Sequence, residues 1–499
     1  MGAHHKVSVD KEERYEFTAA AKKRILTWMG VGIVMTVIGI AMLALGIGES
    51  KHEAAGAGHG AATHASATEN HSTANAHSEA NGTKTDAHTG AEHADVKADA
   101  HGATDHAEAG HATEAHAEKG HAAAAEHGGG HHEFHWTTRL WADLWHNAVF
   151  FTGIAIIGVF FVAVQYLAYA GWSAGIKRVP EAFGMFLPIG AGIMLVVFGL
   201  GHHDLFHWTH EGITDPTAAN YDKIIAGKSW YLNLPFYLTR MVAFFGLWML
   251  YYSIIRKNSL AEDLEGGTAR WKKLVYFSSG FIVIFAVSSS MAAWDWVMSI
   301  DPHWFSTLFG WYTFASWHVS GLACITLTVI LLKERGYLKH VNMSTVHDLG
   351  KFMFAFSVFW AYLWTSQFLL YYYANIPEEV IYYIERRDGF DGKYTALFFL
   401  NVIINFAFPF LFLMTRDSKR QIIFLKIAAI AILAGHWLDF YLMIMPGVTK
   451  GNSGFGFLEF GLVLTFVCLF IYVISNTLSK QRLTAINHPM LEESLHHDI

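Results

Sequence analysis

Apolar positions along this chain neither alternate nor recur at amphipathic helical spacing. They run together in ten blocks, 25–47, 146–170, 183–201, 235–255, 274–297, 308–332, 351–374, 394–415, 421–445 and 454–478. A helix of roughly 20 residues, rising about 1.5 Å per residue, crosses the hydrocarbon core of a bilayer. Inside lipid the backbone must satisfy its own hydrogen bonds, so such blocks are helices. The pattern therefore predicts an all-α polytopic membrane protein with ten transmembrane helices.

The polar intervals complete the layout. Residues 1–24 form an N-terminal segment ahead of span 1 (25–47), and 48–135 separate it from the rest. Residues 136–256 hold spans 2–4, 257–273 form a polar connection, and 274–297 are span 5. Spans 6–9 occupy 308–445, span 10 occupies 454–478, and 479–499 form a tail. Most of the 35 Lys and Arg fall on one side if the N-terminus is cytoplasmic, in runs such as Lys22, Lys23 and Arg24 or Arg416, Lys419 and Arg420. The positive-inside rule then places both termini in the cytoplasm and the 48–135 loop outside, as for a multi-pass protein of a bacterial inner membrane. The opening "MGAHHKVSVDKEERYEFTAAAKKR" is too polar and too long for the start of a cleaved signal, so block 25–47 reads as a retained helix.

Composition narrows the chemistry. The net charge is −7 with no basic stripe, which gives no reason to expect nucleic acid. Cys324 and Cys468 both sit in apolar blocks, and no CxxC or CxxCH occurs, which excludes covalent c-type haem and cysteine-held clusters in this chain. The 48–135 interval holds 16 of the 31 histidines among Ala, Gly, Glu, Thr and Asp. Such a composition cannot build a core and reads as a disordered, pH-sensitive tether. A loose zinc- or copper-binding tract is the alternative, although the irregular histidine spacing defines no single site. "HHEFHWTTRLWADLWH" (131–146) then reads as an amphipathic helix lying along the outer interface. The loops 201–236 and 375–394 mix acids, bases and aromatics suited to partner contacts.

Ionisable groups at membrane depth are costly unless partnered, and so mark candidate sites. Asp295 lies near the end of span 5 and His318 about ten residues into span 6. Gln367 and Tyr371 share a face of span 7, Asn401 and Asn405 a face of span 8, and His436 and Asp439 a face of span 9. Three readings fit His318, His436 and Asp439: interhelical glue, a proton or quinone site, or a bis-histidine b-type haem between spans 6 and 9. In "AAWDWVMSIDPHWFSTLFGWY" (292–312), Asp301 reads as an N-cap with Pro302 opening the next helix, and the tryptophans as an interfacial belt. Asp295 is explained by neither device, which suggests a proton exit or partner contact. Around His347, Asp348 and Lys351, "STVHDLGK" reads as a helix start capped by Ser344 or Thr345, with an inner proton mouth as the alternative. Glu459 reads as interfacial.

Three stretches carry a resemblance. "WDWVMSIDPHWFSTLFGWY", "HDLGKFMFAFSVFWAYLWTSQFLLYYYANIPEE" and "HWLDFYLMIMP" resemble the F subunit of alternative complex III, a bacterial quinol:cytochrome c oxidoreductase, within the NrfD-like (polysulfide-reductase-type) membrane proteins. The resemblance covers roughly 140–480; the histidine tract falls outside it. It implies two four-helix bundles, spans 2–5 and 6–9, with one flanking helix at each end. It also implies a homologous membrane subunit of the same fold, an iron–sulfur subunit, c-type cytochrome subunits, surrounding lipids and a terminal cytochrome oxidase as a further neighbour. Haem c and iron–sulfur clusters would reside in those partners, and quinol in the sister subunit or, alternatively, here. The chain itself would bind no redox cofactor and no defined metal. It would serve as scaffold and proton conductor, with Asp295, His318, Gln367, Tyr371, His436 and Asp439 as candidate relay groups. A secondary transporter remains a third reading; Pro409 and "PIGAGIMLVVFGLG" are the deep interruptions that bear on it.

Overall fold

The computed structural model describes residues 12–46 and 135–498. The tether and metal readings of the histidine tract lie outside the described residues. Ten helices are long and apolar enough to span a membrane. They are α1 (Ala19–Ala44), α2 (Trp136–Leu167), α3 (Arg178–Leu205), α4 (Leu234–Glu265), α5 (Ala269–Ile300), α6 (Leu308–Glu334), α7 (Met343–Ala374), α8 (Thr395–Phe412), α9 (Ile422–Thr449) and α10 (Phe457–Leu478). No β-strand occurs among the described residues. The chain is an all-α polytopic membrane protein.

Helices α2–α5 pack as one bundle and α6–α9 as a second, joined where α2 meets α6 and α9 and where α5 meets α6. Helices α2 and α6 are buried along most of their length, whereas other spans keep apolar faces outward, such as Val283 and Val287 of α5. The flanking helices α1 and α10 pack chiefly on each other. Small residues permit this: a Cβ added at Gly461 would lie 2.5 Å from the backbone nitrogen of Thr36 and 2.7 Å from the Gly32 carbonyl. Without a hydrophobic drive between helices in lipid, such close backbone packing supplies the adhesion. The Leu483 amide donates to the Glu13 carbonyl at 3.0 Å and Arg482 pairs with Glu12 at 2.5 Å, so both chain ends meet at one end of the bundle, the termini end.

Three spans are irregular at a proline. A 3₁₀ turn (Gly184–Phe186) interrupts α3 ahead of Pro188. In α8 a π-turn (Ile403–Ala407) precedes Pro409, which has no N–H to offer the carbonyl four residues back. Helix α9 continues through Pro446, which leaves the Leu442 carbonyl without an amide. Arg386 of the short helix Pro377–Arg387 repairs that gap: its Nε donates to Leu442 O at 2.9 Å and its Nη2 to Met443 O at 3.0 Å.

Several expectations are corrected. Residues 136–146 do not lie along an interface; they are the first turns of α2, and Trp145 and His146 are fully buried. Asp301 caps no helix, because α6 begins only at Leu308; its Oδ2 instead accepts from Arg386 Nη2 at 2.8 Å. Trp296 and Trp304 belong to the core, Trp296 stacked on Phe245 and Trp304 on Tyr382, while Trp311 is exposed. Asn342, not Ser344 or Thr345, caps α7 by accepting from the Thr345 amide at 2.9 Å. The start of the polar 257–273 connection is a continuation of α4, with Ser259, Glu262 and Asp263 buried.

Candidate functional site

The densest polar cluster within the second bundle centres on Asp439, which is fully buried. The i,i+3 spacing on α9 puts His436 on its face, with Nδ1 3.8 Å from Asp439 Oδ2. Asp439 Oδ1 accepts from the Tyr312 hydroxyl of α6 and from Asn401 Nδ2 of α8 at 2.8 Å. Its Oδ2 accepts from Trp360 Nε1 of α7 at 3.0 Å. The string extends from Asn401 to Asn405 at 2.6 Å, in the π-turn, and from His436 Nδ1 to Ser316 Oγ at 2.9 Å. All four helices of the second bundle thus donate to or abut one carboxyl group. A small recess opens beside it, lined among others by Tyr312, Gln367, Tyr383, Asn401 and Asp439. Gln367 is buried with its Oε1 lacking a donor.

The other predicted residues fall elsewhere. Asp295 is held by Arg240 of α4 through a fork, Nε to Oδ2 at 2.7 Å and Nη2 to Oδ1 at 2.9 Å, both partners buried. His318 sits among Phe160, Phe314 and Phe356, with its Nδ1 unpartnered. It faces different partners from His436, whose neighbours are Ser316 and Trp360. Tyr371 donates to the Phe305 carbonyl at 3.0 Å, a loop-fastening contact. At the termini end, Asp348 pairs with Lys351 at 2.5 Å and with His497 of the tail at 2.6 Å, while neither ring nitrogen of neighbouring His347 has a hydrogen-bond partner. The relay candidates are thus dispersed, and only Gln367, His436 and Asp439 border one locality.

Three polar groups escaped the sequence reading. Arg240 is the first; a lone arginine inside an apolar block was the available signal. The second is a buried network at the termini end. Lys177 Nζ meets Glu262 Oε2 at 2.7 Å and the Tyr166 hydroxyl at 2.8 Å, and Arg178 bonds Glu181 at 2.7 Å together with Asp263 and Ser259. In the sequence Lys177 and Arg178 looked like ordinary flanking charges, because Glu262 and Asp263 lie 85 positions away and only Glu181 is local. A small recess lies against this network, lined in part by Gln165, Tyr166, Lys177, Trp271 and His488. Burial pushes the His488 imidazole down to about 3, assisted by nearby Lys177 and Arg178. Burial also lowers His340, partly offset by its contact with the Gly175 carbonyl. The third is Asp143 with His146 on α2; Glu459 nearby, read from the sequence as interfacial, is instead fully buried and paired with Arg139.

No model of a known protein family matches the chain, and neither does any curated protein. Function must therefore be argued from the site. A carboxyl group fed by a hydroxyl, an indole and an amide, beside a histidine, can hold and pass protons; it presents no thiolate or open set of metal ligands.

Proposed function

We propose that this chain is an integral membrane subunit of a respiratory quinol:cytochrome c, or other quinol:acceptor, oxidoreductase complex. In that reading it scaffolds the redox subunits and conducts protons without a redox centre of its own, in a bacterial inner membrane with both termini cytoplasmic. The single observation that carries the proton role is the buried string Ser316, His436, Asp439, Tyr312, Asn401 and Asn405, which links three helices of one bundle. Helix adhesion alone asks for no carboxyl group at its centre, since hydroxyl and amide pairs suffice. The assignment to a quinol-oxidising assembly is supported by the three stretches resembling the alternative complex III F subunit, and by the lack of CxxC and CxxCH. Partner subunits would then carry haem c and iron–sulfur clusters.

Purification in mild detergent, identification of co-eluting chains and an optical spectrum test the assignment. Haem- and cluster-bearing companions are expected; a lone, active polypeptide refutes it. Asp439→Asn and His436→Ala in the intact complex should slow proton uptake or release, and unchanged proton traffic refutes the relay. A second reading, direct quinol binding by this chain, is favoured by the recess that joins the donorless Gln367 Oε1 to Asp439. It predicts a raised KM for quinol in Gln367→Leu.

A further inference from the structure

Asp143 of α2 is fully buried, and neither carboxyl oxygen has a hydrogen-bond donor. Three residues on, on the same face, His146 turns its Nε2 to the Trp437 carbonyl at 2.9 Å. A carbonyl only accepts, so Nε2 carries the hydrogen and Nδ1 is a bare lone pair, also buried and unpartnered. The nearest charges to Asp143 are Glu459 of α10 and Arg139 of α2. Both Asp143 oxygens and His146 Nδ1 are thus buried without a donor on one face of α2.

Several donors near them are engaged with other acceptors. Arg139 reaches Glu459 Oε1 through Nε at 2.6 Å and Nη2 at 2.5 Å. The Gly456 amide serves Glu459 Oε2 at 2.7 Å. Trp437 Nε1 donates to Asn147 Oδ1 at 3.0 Å, and Asn147 Nδ2 to the backbone carbonyl of Asp143 at 2.9 Å. The hydroxyl of Tyr441, whose charge environment includes Asp143, donates to the Gly454 carbonyl at 3.1 Å. Two buried carboxyl groups thus share one guanidinium, an arrangement that disfavours ionising both at once.

We propose that Asp143, with Glu459 and His146, forms a proton-holding site at the end of the bundle opposite the termini. One bound proton neutralises the excess charge and turns the Asp143 carboxyl into the missing donor, toward Glu459. Arg139 fixes Glu459, and its partly exposed guanidinium lies at the edge of the site. Through Trp437 the site abuts α9, the helix that bears His436 and Asp439. The site deepens the proton-conducting reading, on which its role in turnover rests; its existence rests on geometry alone.

Infrared spectra of the purified full-length protein with its native partners test this, as native-minus-variant differences near neutral pH. The expected result is a protonated-carboxyl C=O band lost in Asp143→Asn and retained, shifted, in Asp143→Glu. Asp143→Asn should also fold as stably as the parent, since an amide supplies the absent donor. If Asp143→Asn does not accumulate, Glu459→Gln serves: the Asp143 band should move because its acceptor has changed. An unaltered band in either variant overturns the proposal, as does a band that appears only on removing sodium, which would make the occupant a metal cation. A band lost as expected while proton uptake during turnover is unchanged upholds the proton site and refutes proton conduction through it.

Discussion

Asp439→Asn is the sharpest perturbation of the second bundle, because its cost follows from the count of donors. In the native protein Oδ1 accepts from Tyr312 and Asn401, and Oδ2 from Trp360. An asparagine can keep its oxygen toward only one side. Keeping the two-donor side turns its NH₂ toward the Trp360 indole N–H, and two buried donors then face each other. An orphaned buried donor costs about 1–3 kcal/mol, so the pair destabilises the protein by about 2–4 kcal/mol. Trp360→Phe removes one of the opposed donors. The combined variant should therefore lose less than the two single losses added, with a coupling of about 1–2 kcal/mol. Reversible unfolding in mixed micelles of the parent, both single variants and the double variant measures this cycle. Additive losses, or an Asp439→Asn protein as stable as the parent, would refute the hydrogen-bond assignment.

Arg240→Ala strands the buried Asp295 carboxyl and should cost about 3–5 kcal/mol, whereas Arg240→Met with Asp295→Leu should recover most of that loss in the same unfolding assay. For His488 the sign follows from linkage: an unfolded imidazole takes its proton near 6.5 and the folded one only near about 3. The unfolded chain binds more protons between those values, so the contribution is whole above about 6.5 and is lost as the pH falls toward 3, at up to about 1.4 kcal/mol per pH unit. Thermal unfolding at pH 7 and pH 5 should show that slope in the parent and a smaller one in His488→Asn. Gly39→Leu should push α1 off α10, since a Cβ there meets the backbone of Leu458, and hydrogen exchange across α1 should rise.

The chain's own text determined the ten spans. A run of about 20 apolar residues can satisfy its backbone in lipid only as a helix, whatever its neighbours do. It also marked His436 and Asp439 as one patch, because i,i+3 spacing is a local property of a helix. What it could not supply were partners distant along the chain. Asp295 looked unexplained until α4 brought Arg240 to it, and Asp301 mimicked an N-cap while its true partner was Arg386. Span ends failed for a related reason: α2 and α4 carry polar residues deep into the packed interior, where protein rather than water meets them. Hydropathy reads those positions as loop, since it measures cost in lipid. Only the packed bundle sets the dielectric and the donors around Asp143, Asp439 and Glu262, and these govern what such groups can do.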